Sequence, residues 1–112
     1  MSKFQEKYET IEAAMKDMGV KVDTELLTAV CKGLGPALYN NDSAMVASSD
    51  QAELDRLKKN FLMGKLGLSD ADNLDAAIEK VVETMGKSNP RKHRAAFYYL
   101  LTKHFKKESV YK

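Results

Sequence analysis

A chain of 112 residues, 44% apolar and 30% charged, with two prolines and six glycines, is long enough to build one hydrophobic core and too short for two. Its composition excludes the disordered, collagen-like and low-complexity classes. The formal charge of +2 conceals a split, because residues 87–112 carry eight Lys/Arg against one Glu while residues 1–86 carry ten against fifteen Asp/Glu.

In chain order, Phe4, Tyr8, Ile11, Met15 and Met18 recur at steps of four and three and draw one apolar stripe on a helix over 3–18. Ser2 and Gln5 have capping-box spacing at its start, and Gly19 can take the left-handed conformation that ends it. A second helix is expected from the cap Asp23, with Val22 and Leu27 as a hydrophobic staple and Leu26, Leu27, Val30, Cys31 and Leu34 on its buried side. Pro36 has no N–H to continue it, so a break or kink follows.

Between Pro36 and Ser49 the periodicity weakens. Asn40–Ser43 reads as a turn that caps a short helical piece over 44–47. Asp50 and Glu53 again have capping-box spacing, ahead of Leu54, Leu57, Phe61 and Leu62, and Gly64 or Gly67 ends that third helix. Ser69 or Asp72 caps a fourth, where Leu74, Ala77, Ile78, Val81, Val82 and Met85 give the most regular helical pattern in the chain, closed by Gly86. Asn89 before Pro90 opens the last helix at about residue 90, with Phe97, Leu100, Leu101, His104 and Phe105 on its inner side. No stretch alternates with period two over a strand's length. The expected fold is all-α, a single compact irregular bundle of about five helices over 1–112. Its expected core is Leu26, Leu27, Val30, Leu54, Leu57, Phe61, Ile78, Val81, Val82, Phe97, Leu101 and Phe105.

Motifs for chemistry are weak. Gly86-Lys87-Ser88 ends like a phosphate-binding loop, but Val81 stands where the first glycine belongs and a helix precedes it instead of a strand. Asp70, Asp72, Asn73 and Asp75 resemble the start of a calcium loop, yet Asp75 occupies the glycine position and Val81 the position of the closing glutamate. Acidic residues at a helix start complement its dipole without any metal. His93 and His104 lie roughly 16 Å apart on one helix at 1.5 Å per residue, too far to share a metal. His104 reads as a core-edge residue and Cys31 as an inert buried thiol. A nucleophilic site would need the fold to bring Cys31, a histidine and a carboxylate together.

One surface pattern survives. At 100° per residue, Lys92, Tyr99, Lys103 and Lys106 fall within about 60° of one another on the last helix. Three cations and an exposed aromatic could contact phosphates and stack on a base. The other reading is that the basic segment pairs internally with acidic helices, and that solvated lysines simply occupy the outer face.

Three runs, Ser49-Asp50-Gln51-Ala52-Glu53-Leu54, Asn60-Phe61-Leu62-Met63-Gly64-Lys65-Leu66-Gly67-Leu68 and Ala96-Phe97-Tyr98-Tyr99-Leu100-Leu101, resemble an uncharacterised bacterial family of small helical proteins, classed as a domain of unknown function. The likeness extends to Leu34-Gly35, Ala37-Leu38 and Asp42-Ser43-Ala44. The resemblance implies a compact helical domain and supplies no catalytic residue, cofactor or substrate.

A single cysteine cannot close an internal disulfide, no apolar run approaches the roughly 18 residues of a membrane span, and Met1–Glu6 has no apolar signal stretch. The expectation is a cytoplasmic, non-catalytic protein-interaction module without cofactor, metal, membrane contact or identified small-molecule substrate. Self-association is one form of it, with Phe4, Tyr8 and Tyr111 left to meet a partner. The alternative is weak, sequence-independent nucleic-acid binding through Lys92, Tyr99, Lys103 and Lys106.

Overall fold

The computed structural model describes residues 3–39, 45–46, 50–69, 73–86 and 92–111. Five α-helices account for the regular structure: α1 Lys3–Asp17, α2 Thr24–Leu34, α3 Gln51–Leu57, α4 Leu74–Met85 and α5 Arg94–His104. Shorter pieces flank them. A 3-10 turn spans Gly35–Leu38, a π-helix Lys58–Met63 continues α3, and a second 3-10 turn closes the chain at Glu108–Tyr111. The all-α fold is confirmed, and among the described residues the one extended pairing is the isolated antiparallel bridge Met45–His93. The radius of gyration, 13.0 Å, matches the roughly 13 Å of a compactly folded chain of this length.

Local chemistry sets most helix ends where the spacing predicts. Asp23, in an extended conformation, accepts from the N–H groups of Glu25 and Leu26 at 3.1 and 3.3 Å and so caps α2. Asp50 does the same for α3 through Ala52 N–H. Gly19, at φ 79°, ends α1 in a Schellman arrangement, with Val20 N–H bonded to Met15 C=O and Gly19 N–H to Lys16 C=O. Pro36 enters the 3-10 turn at its first residues, so the expected break after α2 is a tightening of the coil.

Three expectations change. Met45 and Val46 are not helical: Met45 bridges His93 and Val46 N–H donates to Lys92 C=O at 2.8 Å, which buries Val46 against the start of α5. The neighbouring residues of that expected helical piece, 44 and 47, lie outside the described residues. The cap of α4 is Asn73 in the left-handed region at φ 55°, without a side-chain bond; Ser69 is not the cap, and Asp72 is outside the described residues. The last helix starts at Arg94 and not near residue 90, and Asn89 and Pro90 are outside the described residues.

The core is one cluster fed by every helix, with Ile11 and Met15 from α1, Leu26, Leu27, Val30 and Cys31 from α2, Leu57 from α3, and Leu74, Ala77, Ile78, Val81 and Met85 from α4. Phe61 and Leu62 come from the π-helix and Leu66 and Leu68 from the turn after it. Leu54, Val82 and Phe105, expected inside, are half-buried against this cluster. At the centre lies α5, packed on α1, α2 and α4. It buries Ala95, Ala96, Phe97, Tyr99, Leu101 and Thr102, which point around nearly its whole circumference.

The π-helix follows from its hydrogen bonds. Gly64 N–H reaches back five residues to Lys59 C=O at 3.0 Å, and Leu66 N–H to Phe61 C=O at 2.9 Å. This widening brings the Asn60 carbonyl within 2.6 Å of where a Cβ on residue 64 would stand, so glycine is the residue that fits.

Candidate functional site

The proposed basic stripe does not form as one surface. Tyr99 is 1% exposed and Lys92 3% exposed. Lys92 precedes α5, where its carbonyl holds Val46, and Lys106 follows α5 in the left-handed region at φ 57°. A single helical register therefore never spans the four residues. Tyr99 turns inward because its hydroxyl is needed there: it accepts from Asp23 N–H at 2.7 Å and donates to Lys21 C=O at 3.3 Å. Lys103 and Lys106 remain exposed. They sit at the C-terminal end of α5, where a cation complements the helix dipole. Lys106 takes the position glycine usually fills in a Schellman motif, with Lys107 N–H bonded to Thr102 C=O and Lys106 N–H to Lys103 C=O.

The other candidates separate. Cys31 is buried on α2, and burial pushes its thiol up to about 11, the opposite of an activated nucleophile. Native protein at pH 8 is therefore expected to resist a disulfide reagent such as dithionitrobenzoate and to react at once in denaturant; rapid labelling of native protein would show Cys31 to be accessible. His93 is buried at the start of α5. His104, expected at the core edge, is exposed, its ring edge-on to Phe105 at 4.9 Å. Among the described residues no group of three His, Cys, Asp or Glu could hold a metal. Asp70 and Asp72 of the calcium-like run, and Lys87 and Ser88 of the phosphate-loop-like run, lie outside the described residues.

Phe4, Tyr8 and Tyr111 are not left over for a partner, because each is half-buried against the chain's own core. Tyr111 lies over Gly33, and Lys65 Nζ stands 4.8 Å from its ring centre. Burial, and then the nearby Tyr98, raise the Tyr111 hydroxyl above its ordinary value. Among the described residues, the large apolar side chain that is exposed is Tyr39.

Two features emerge that the spacing does not announce. The first is polar. Glu53 does not turn back to cap α3 but accepts from Arg94 of α5 and, at 2.9 Å, from Arg56. Arg94 also donates to the Tyr98 hydroxyl at 3.2 Å, and Tyr98 stacks on Phe61 of the π-helix with ring centres 3.8 Å apart. Burial alone would raise the Glu53 carboxyl, but the hydrogen bonds and charges of the two arginines outweigh it and hold it below its ordinary value. Burial alone would lower the Arg94 guanidinium, and the bonds to Glu53 and Tyr98 reverse that.

The second feature is a groove of about 410 Å³ between α3 and α4. Leu54, Ile78 and Val82 form its floor, and Gln51, Lys58, Asp75 and Glu79 form its rim. Lys58 and Asp75 pair across it at 3.2 Å. That pair separates it from a second concavity beside Asn73, Leu74 and Ala76. Leu54 and Val82 belong to the apolar stripes of α3 and α4 but are only half-buried, because each lines the open groove.

No helix among the described residues is long and apolar enough to cross a membrane. A comparison with curated proteins finds no match. A family model does match, over residues 9–109, which takes in all but the first turns of α1 and the last residues, and so includes the groove, the Glu53–Arg94 pair and the buried Tyr99. The chain belongs to the family described as Protein of unknown function (DUF2853).

Proposed function

We propose that this protein is a non-catalytic interaction module of the bacterial cytoplasm whose α3–α4 groove receives an apolar helical edge of a protein partner or of a second copy. The observation that carries this reading is the groove itself. Leu54 and Val82 lie half-exposed between two helices and are surrounded by charged and amide side chains, the arrangement of an apolar centre within a polar rim. A buried thiol raised to about 11 and two histidines at opposite ends of α5 support a role in binding over one in catalysis.

The reading is tested by substituting Val82→Glu, which puts a charge on the groove floor and leaves the fully buried core untouched. Light scattering of the wild type at high concentration and nuclease-treated affinity capture are each compared with the variant. Association or capture that resists nuclease and is lost in the variant supports the groove. A monomer with no variant-sensitive partner overturns it. The alternative, weak nucleic-acid binding through the basic C-terminal region, retains Lys103 and Lys106 as its exposed cations. Capture abolished by nuclease, with an affinity falling steeply as salt rises, would favour it over the groove.

A further inference from the structure

On α4 the exposed carboxylates Asp75, Glu79 and Glu83 recur every fourth residue, which sets them about 6 Å apart in one row beside the groove. Lys58 pairs with Asp75 at 3.2 Å, while Glu79 and Glu83 enter no ion pair among the described residues. Lys80, the cation of this helix, lies roughly 160° around it from Val82 and so faces away from the groove. Like charges at this spacing disfavour a helix, and a cationic neighbour would relieve them.

Matching cations stand on another face of the same chain. Lys3 and Lys7 of α1 have the same four-residue spacing, outnumber the neighbouring Glu6, and line a hollow together with Tyr39, which is 42% exposed. Neither lysine enters an ion pair among the described residues. That hollow shares no residue with the groove. We infer, resting on the reading of the groove proposed above, that its occupant is a second copy of this chain, which inserts Tyr39 over Leu54 and Val82 and sets Lys3 and Lys7 against the carboxylate row.

Size and chemistry agree with that occupant. The groove, about 410 Å³, falls within the roughly 300–1,000 Å³ of clefts that enclose small organic molecules, ample for one tyrosine ring. A tyrosine brings an apolar body to the floor and a hydroxyl to the polar rim. Exposed ion pairs are individually weak, so the ring supplies the hold and the charges fix the register. Because the two faces differ, the contact is head-to-tail, and each copy keeps a Tyr39 face at one end and an open groove at the other.

The test is sedimentation velocity of the full chain over a range of concentrations, with Tyr39→Ala on one face and Val82→Glu on the other. Glu79→Lys, at an exposed position, is a second variant of the groove face. The wild type is expected to grow in mass with concentration, and less so as sodium chloride rises. Each variant alone should associate about tenfold more weakly or worse. An equimolar mixture of Tyr39→Ala with either groove variant should form pairs and nothing larger, since each chain supplies the face that the other lacks; Val82→Glu and Glu79→Lys mixed together should stay single. A monomeric wild type, undiminished association of Tyr39→Ala, or no pairing in either mixture overturns the inference. If the wild type is monomeric yet captures another protein in a way that Val82→Glu abolishes, the second copy is excluded and the groove reading stands. If Val82→Glu alters neither association nor capture, both fall.

Discussion

Replacing Tyr99 by alanine is expected to destabilise the protein by about 3–5 kcal/mol, the usual loss when a fully buried aromatic is truncated. Phenylalanine at the same position keeps the ring and removes the hydroxyl that accepts from Asp23 N–H and donates to Lys21 C=O. It is expected to cost about 1–3 kcal/mol, because it leaves a backbone donor at the start of α2 without its partner. Urea unfolding of the two variants measures both losses. If Tyr99 were a surface contact for nucleic acid, either change would stay within about 0.5 kcal/mol, so these figures separate the tether from the stripe.

The second large effect concerns the pair that joins α3 to α5. Removing one member of a half-buried ion pair leaves the other charge partly desolvated, and Glu53→Ala or Arg94→Ala is expected to cost about 1–3 kcal/mol. The double variant should lose less than the sum of the two, since the second truncation removes the orphaned charge. The pair also sets a pH dependence. Folding lowers the Glu53 carboxyl from its ordinary value of 4.5. Its contribution is therefore complete above that value and is lost as pH falls through the lower folded one. Acid unfolding of the wild type should show this loss, and Glu53→Gln should flatten it. An unchanged acid limb in Glu53→Gln would show that other carboxylates control it.

These two positions mark what the sequence carried and what it did not. The helices α2 and α4 could be read because each shows water one face, so apolar residues recur every three or four positions up to a closing glycine, and in α2 from a recognisable cap. Such a pattern is absent from α5, which is buried on nearly every side. Small residues such as Ala95 and Ala96 and the hydroxyls of Tyr99 and Thr102 allow close packing there, and a helix buried all round gives no angular preference by which to choose an outer face. Placing Tyr99 outside followed from assuming one. The Asp50–Glu53 spacing was half informative. Asp50 does cap α3, but Glu53 finds a stronger partner in Arg94, 41 residues away, and a bond over that separation has no local periodicity to announce it. The groove was hidden for a related reason, since the spacing of Leu54 and Val82 reports that they are apolar but not that a groove lies open between them.

The contact between Asp23 and Tyr99 closes 76 residues of chain. At a synthesis rate of about 5–20 residues per second, roughly 4–15 s pass between the addition of these two residues. Throughout that interval α1 and α2 have no α5 to cover Leu26, Leu27 and Val30. The nascent chain thus carries a bare oily edge until its last quarter has been made, and a ribosome stalled before α5 would present that edge to the chaperones and proteases that patrol unfinished polypeptides.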